Sequence, residues 1–204
     1  MTFISLIFSI FIMEELVGIA RKTIEDFFKT SNSKIKSDKK FQDRRGVFVT
    51  IHSYPDNELR GCVGFTTPEY PLYEAVQKAS IEAAFHDNRF LPLTKDELDK
   101  VVFEVSILSL PEVLNGTPDK RIENIEKDKD GLIIEYGIRK GLFLPQVWED
   151  IPDKKQFLEA LCWKAGLTPD YVFDKNTKLY KFNVKAFKEF EPKGKIIEIG
   201  FKKK

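Results

Sequence analysis

The chain has 204 residues, 42% of them hydrophobic, enough for one domain or for one domain with a small lobe inserted. Its 33 Lys and Arg face 32 Asp and Glu, and a net charge of +1 gives no general field to attract nucleic acid, which places that function class last. Two cysteines far apart and only two histidines exclude a disulfide framework and argue against a Cys/His zinc site; free thiols in a cytoplasmic protein are the expectation.

The first stretch, Thr2 to Ile12 (TFISLIFSIFI), is almost wholly apolar. It is shorter than the ~20 apolar residues that span a bilayer, and it lacks the basic flank and cleavage site of a signal peptide. Either translation starts at Met13, or residues 1–12 form an apolar extension that docks on the fold or on a membrane surface. From Glu14 to Lys29 the residues Leu16, Ile19, Ala20, Ile24, Phe27 and Phe28 recur at helical spacing. Thr30 to Arg45 is polar and Ser-rich, a surface loop. Gly46 to Ser53 reads as a buried strand, Pro55-Asp56-Asn57 as a turn, and Leu59 to Phe65 as the second strand of a hairpin.

Pro71 to Asp87 has helical spacing with small residues for close packing, and Thr94 to Glu97 is a capping box for a short helix. Val101 to Leu110 reads as a strand and Thr117 to Asp130 as a charged connector. Gly131 to Gly137 and Gly141 to Val147 suggest a hairpin turning through Ile138 to Lys140. Asp153 to Gln156 is a second capping box, starting a helix that Gly166 ends. Lys178 to Phe187 alternates strictly, as one half-exposed strand does, and 192–204 reads as a tail ending in a frayed, exposed Phe201 to Lys204. Helices and strands mix without regular β-α-β alternation, so the expected fold class is α+β with a mainly antiparallel sheet flanked by helices. The abundant Lys and Glu resemble thermophile surfaces.

The densest chemistry lies in Glu58-Leu59-Arg60-Gly61-Cys62-Val63-Gly64. Strand alternation puts Arg60, Cys62 and Gly64 on one face, and a guanidinium beside a thiol favours thiolate. Alternation does not say whether that face meets solvent or the core.

LRGCVG (Leu59 to Gly64), AAFHDNRFLPLT (Ala83 to Thr94), FEVSILSLPE (Phe103 to Glu112), GLIIE (Gly131 to Glu135), GLFLPQV (Gly141 to Val147) and LCWKAGL (Leu161 to Leu167) occur in this order. Together they resemble the AMMECR domain family over roughly Glu14 to Glu191. The resemblance implies a larger lobe built from both chain ends, an inserted smaller lobe, and a cleft between them lined by the LRGC strand. It also implies kinship with component A of a system that pairs this domain with Memo-like and radical-SAM proteins. Asn88 stands where the family commonly has proline, which would loosen the turn. Trp163 stands where a smaller residue is usual, which would alter helix packing.

Two functions follow as expectations. In a binding or adaptor module, Arg60 and Arg89 would recognise anions, with Gly61, Gly64, Asp87, Glu104 and Gln146 as further binding residues. In a cysteine-dependent enzyme, Cys62 would be the nucleophile and Arg60 would hold an anionic small-molecule or peptide substrate and lower the thiol pKa, while Gly61 and Gly64 let substrate approach the backbone. No positioned base is visible, since His52 reads as a rim or core residue and a Cys62–His86 dyad is disfavoured. The structural alternatives are a core Cys62, an Arg60–Asp87 ion pair, and an Asp87–Arg89 pair that fixes its own turn. Cys162 sits on an apolar helix face. No metal and no cofactor is expected, since no phosphate loop, dinucleotide motif or cluster-binding cysteine spacing is present.

Overall fold

A computed structural model describes the backbone of residues 3–30, 35 and 37–200 and the side chains from Met13 onward. The side chains of Thr2 to Ile12, part of the Ser-rich loop, and the tail Phe201 to Lys204 lie outside the described residues.

In chain order the elements are α1 (Phe3–Thr30), β1 (Val47–Ser53), β2 (Leu59–Phe65), α2 (Leu72–Ile81), β3 (Val101–Leu108), β4 (Glu112–Val113), α3 (Pro118–Glu123), β5 (Gly131–Tyr136), β6 (Arg139–Phe143), α4 (Val147–Asp150), α5 (Lys154–Lys164), β7 (Lys178–Phe182), β8 (Val184–Glu189) and β9 (Ile196–Ile199). The class is α+β, with antiparallel pairing in both sheets. The chain divides into two compact units, residues 1–108 with 185–200, and residues 109–184.

The first unit is a five-stranded sheet in the order β2-β1-β3-β8-β9. Val47, Val49 and Ile51 of β1 and Phe103, Val105 and Ile107 of β3 alternate onto one face, where they share a core with Leu16, Val17, Ala20 and Ile24 of α1 and Ala75, Val76 and Ala79 of α2. Small alanines let the helices lie close. Arg21, on the buried side of α1, is 5% exposed. It donates from Nη2 to Glu189 Oε2 at 2.7 Å and to the carbonyl of Val101 at 2.7 Å, and from Nη1 to the carbonyl of Leu98 at 3.0 Å. The same Glu189 oxygen accepts the Phe103 amide at 2.9 Å, so one buried ion pair joins α1, β3 and β8.

The second unit is a four-stranded sheet, β4-β7-β5-β6. Its core gathers Leu132 and Ile134 of β5, Leu179 of β7, Trp148, and Phe157, Leu158, Leu161 and Cys162 of α5. Trp148 stacks on Phe157 with ring centroids 3.7 Å apart and donates Nε1–H to the Asp130 carbonyl at 2.8 Å. Asp153 caps α5 by accepting the Gln156 amide at 2.9 Å, and Gly166 leaves the helix at φ +69.

Several sequence readings change. The first helix begins at Phe3 rather than Glu14. The alternating segment Lys178 to Phe187 is two strands in two sheets. At the break, Ser109 N–H donates to the Asn183 carbonyl at 2.8 Å and Asn183 N–H donates to Ser109 Oγ at 3.0 Å, which takes Asn183 out of the ladder. Lys140 pairs with Glu135 and Arg139 with Tyr136, so the second hairpin turns at Gly137-Ile138. Part of the segment read as a tail is β9, paired with β8. Trp163 does not alter helix packing, because it is 62% exposed on α5.

Candidate functional site

The site is built on β2, the edge strand of the first unit's sheet. In the ladder Thr50 of β1 lies opposite Cys62 of β2 on one side and Glu104 of β3 on the other. Their neighbours Val49 and Ile51 point into the core, so Thr50, Cys62 and Glu104 share the opposite face. Cys62 is half-buried there, whereas Cys162 is fully buried in the second unit. Thr50 donates its hydroxyl to Cys62 Sγ at 3.2 Å. His52 Nε2 lies 3.0 Å from Glu104 Oε2, and Ser106 donates Oγ–H to Glu104 Oε1 at 3.3 Å. A polar row therefore crosses three strands.

The edge of β2 is closed by its own chain. After α2 the helix widens into a π turn over Glu82–His86, and Asp87 follows in extended conformation. Asp87 Oδ2 accepts the Cys62 amide at 2.9 Å, and Arg89 Nη2 donates to the Cys62 carbonyl at 3.2 Å. These are the two groups that a further strand would use, so the Asp87–Arg89 pair stands in for one. Arg89 also grips Asp87 from Nε at 2.9 Å and from Nη2 at 2.7 Å. That grip, with the Cys62 amide, holds the Asp87 carboxyl far below the usual carboxylate range despite its burial.

Arg60 does not serve Cys62. Its Nε donates to Glu97 Oε1 at 2.8 Å and its Nη2 to Oε2 at 3.3 Å. Burial pushes the Glu97 carboxyl up, but Arg60 and the Thr94 amide and hydroxyl outweigh that and leave it lowered. Burial likewise pushes the Cys62 thiol up. The Thr50 hydrogen bond and the Arg89 charge oppose this, Glu104 and Asp87 add to it, and the result is a raised pKa. The expected Arg60-activated thiolate is thus corrected: the nearby cation is Arg89, and it is held by Asp87. The Arg60–Asp87 pairing is corrected as well, in favour of Arg60–Glu97 and Asp87–Arg89.

The glycines serve packing. A Cβ on Gly61 would lie 2.2 Å from the Ala83 carbonyl oxygen, and one on Gly64 would lie 2.2 Å from the Val47 carbonyl oxygen and 2.5 Å from the Phe48 ring. What approaches the backbone at these positions is the protein itself, where substrate was expected. Gln146 belongs to the second unit, just ahead of α4, and its buried Oε1 has no hydrogen-bond partner among the described residues. His86 is exposed beside Glu82, 3.2 Å away. The sequence reading missed Thr50 and Glu97 as partners, and it set His52 aside. Among the described residues no three of His, Cys, Asp and Glu gather as metal ligands, and no helix is long and apolar enough to cross a membrane.

The AMMECR1 family model matches residues 17–187, a span that contains every residue of this site. The chain belongs to the AMMECR1 family. This AMMECR1 chain is 45% identical over 195 residues to protein PH0010 of Pyrococcus horikoshii, covering 90% of this chain and 92% of that one. It is 45% identical over 185 residues to protein MJ0810 of Methanocaldococcus jannaschii, covering 89% and 92%. The crystal structure of the uncharacterized protein PH0010 superposes with a TM-score of 0.76 at 44% identity, covering 92% of this chain and 96% of that chain. The thermophile-like composition of this AMMECR1 protein thus accompanies relatives from thermophilic archaea.

Proposed function

We propose that this AMMECR1 protein is a binding or adaptor module whose recognition surface is the Cys62 face of β2 with the Asp87–Arg89 loop. One observation carries the reading: the thiol is raised, and Arg89, the cation beside it, is already committed to Asp87, as Arg60 is to Glu97. A nucleophilic cysteine needs a thiolate and a positioned base. Here the Thr50 hydroxyl contacts the sulfur, and His52 is engaged with Glu104. Arg89, whose side chain is 52% exposed, keeps donor capacity for an anionic group on a partner. By resemblance, the partners would be Memo-like and radical-SAM proteins, and two free thiols favour the cytoplasm.

The test is alkylation of Cys62 by iodoacetamide against pH, read by peptide mass spectrometry. Cys162, whose thiol burial pushes up to about 11, is the internal control. The expected result is slow labelling of Cys62 at neutral pH that rises only in the alkaline range. Fast labelling that persists below neutral pH would overturn the reading in favour of an enzyme using Cys62 on an anionic substrate, with the His52–Glu104 pair as its neighbouring acid–base group.

A further inference from the structure

The polar face of the first unit's sheet continues past His52 to the hairpin end of β1. There Val102, opposite His52 in the ladder, and Ile197, opposite Lys188, form an apolar floor. Tyr54, 39% exposed, and Phe190, 64% exposed, flank it. The space between them is a half-open groove of about 340 Å³, at the small end of the range of small-molecule sites, roughly 300–1,000 Å³. Among the described residues Lys188 is the one charged residue that lines it.

The charge balance selects the ligand. The Lys188 ammonium donates to Asn57 Oδ1, a neutral oxygen, and among the described residues no carboxylate pairs with it. An ammonium has three donors, so donors remain for a ligand. The carboxylate two residues beyond Val102 on β3, Glu104, is held by His52 and Ser106. Glu189, next to Lys188 on β8, points to the opposite face and is bound by Arg21. The groove therefore combines two exposed rings, an aliphatic floor and one cation without an acidic partner.

We propose that this groove is a binding site for a small carboxylate with an aromatic body. The carboxylate would meet Lys188, and the ring would lie on Ile197 between Tyr54 and Phe190, over the almost wholly buried Val102. Aromatic faces and edges attract one another beyond their apolar area, and the ammonium supplies a charge-assisted hydrogen bond. The site is separate from the Cys62 surface and does not depend on the function proposed for it.

The experiment is a titration of the whole chain with phenylacetate, followed by amide chemical shifts, with phenylacetamide as the uncharged control. We expect saturable shifts centred on Val102, Lys188, Phe190 and Ile197 at millimolar phenylacetate. Loss of the charge, either in phenylacetamide or in Lys188→Met, weakens binding about fivefold. Phe190→Ala, at an exposed position, abolishes saturation while the spectrum stays dispersed. Lys185→Met, on the same strand, leaves the affinity unchanged. Absence of saturable shifts, equal affinity for the amide, or equal weakening by Lys185→Met would overturn the proposal.

Discussion

Asp87 is the residue on which the candidate site turns. It accepts from the Cys62 amide, from its own loop at the Arg89 amide, and twice from the Arg89 guanidinium. In Asp87→Asn one oxygen becomes a donor facing a guanidinium, so the fork is lost and the edge of β2 loosens. We expect a stability loss of about 1–2 kcal/mol at neutral pH, limited because Arg89 is half in solvent. The sign with pH follows from the depressed carboxyl: the native state holds its charge below the pH at which the unfolded chain, near ~3.9, takes up a proton. Its contribution is complete above that value and disappears as pH falls through the native one. Urea unfolding at pH 7 and at pH 3 checks this, because the gap between wild type and variant should shrink at the lower pH. At this scale the sequence was half legible. An Asp and an Arg two residues apart in a turn are visible as a pair. The Arg60–Glu97 partnership and the cross-strand row through Thr50 and His52 are not, because they depend on a loop path and on a ladder whose register shifts between Ile51 and His52.

At the scale of elements, what fixes the site is the approach of β2 to the π turn after α2. Gly61→Ala would put a Cβ 2.2 Å from the Ala83 carbonyl oxygen, and since both sides are backbone neither gives way cheaply. We expect a loss of about 1–3 kcal/mol, seen as a lower urea midpoint. Gly18→Ala is the contrasting change: it lies inside α1 with nothing among the described residues within 4 Å of the new Cβ, and should gain about 0.5–1 kcal/mol. Opposite shifts of the midpoint test the packing account against a general effect of added methyl groups. Periodicity located β1, α2, β3 and α5, each with core residues at a regular spacing, whereas β2 was legible from the turn before it and β5 from its bounding glycines, because β2 buries Gly61 alone and β5 buries four residues in a row. Periodicity could not divide Lys178 to Phe187. Alternation persists through Asn183, while the strands on either side of it belong to different sheets, and only the Ser109 hydrogen bonds mark the break. The π turn left no sequence signal, since its small residues continue the helical pattern.

At the scale of the whole molecule, the first unit needs both ends of the chain. Arg21 comes from α1 and its partner Glu189 from β8, 168 residues later, and a reading by local patterns has no access to that distance. Removing the C-terminal strands would leave a buried guanidinium with carbonyls only, and breaking such a pair costs about 3–5 kcal/mol. It would also expose the β3 edge and strip Phe187 from the core. Against a typical domain stability of about 5–15 kcal/mol that loss is decisive, so residues 1–108 expressed alone should lack a cooperative transition. Residues 109–184 form one continuous stretch with their own sheet and a core built around Trp148 and Phe157, and they should fold alone. Both tryptophans of the chain, Trp148 and Trp163, lie in that stretch. Fluorescence therefore reports its unfolding without interference: a sigmoidal urea transition from a burial-shifted spectrum is the expected outcome for 109–184, and a featureless curve would show that its core is insufficient by itself. Co-expressing 1–108 with 185–200 as a separate peptide completes the test, because recovery of cooperative unfolding by circular dichroism, and its loss with Glu189→Gln in the peptide, would trace the dependence to the Arg21–Glu189 pair.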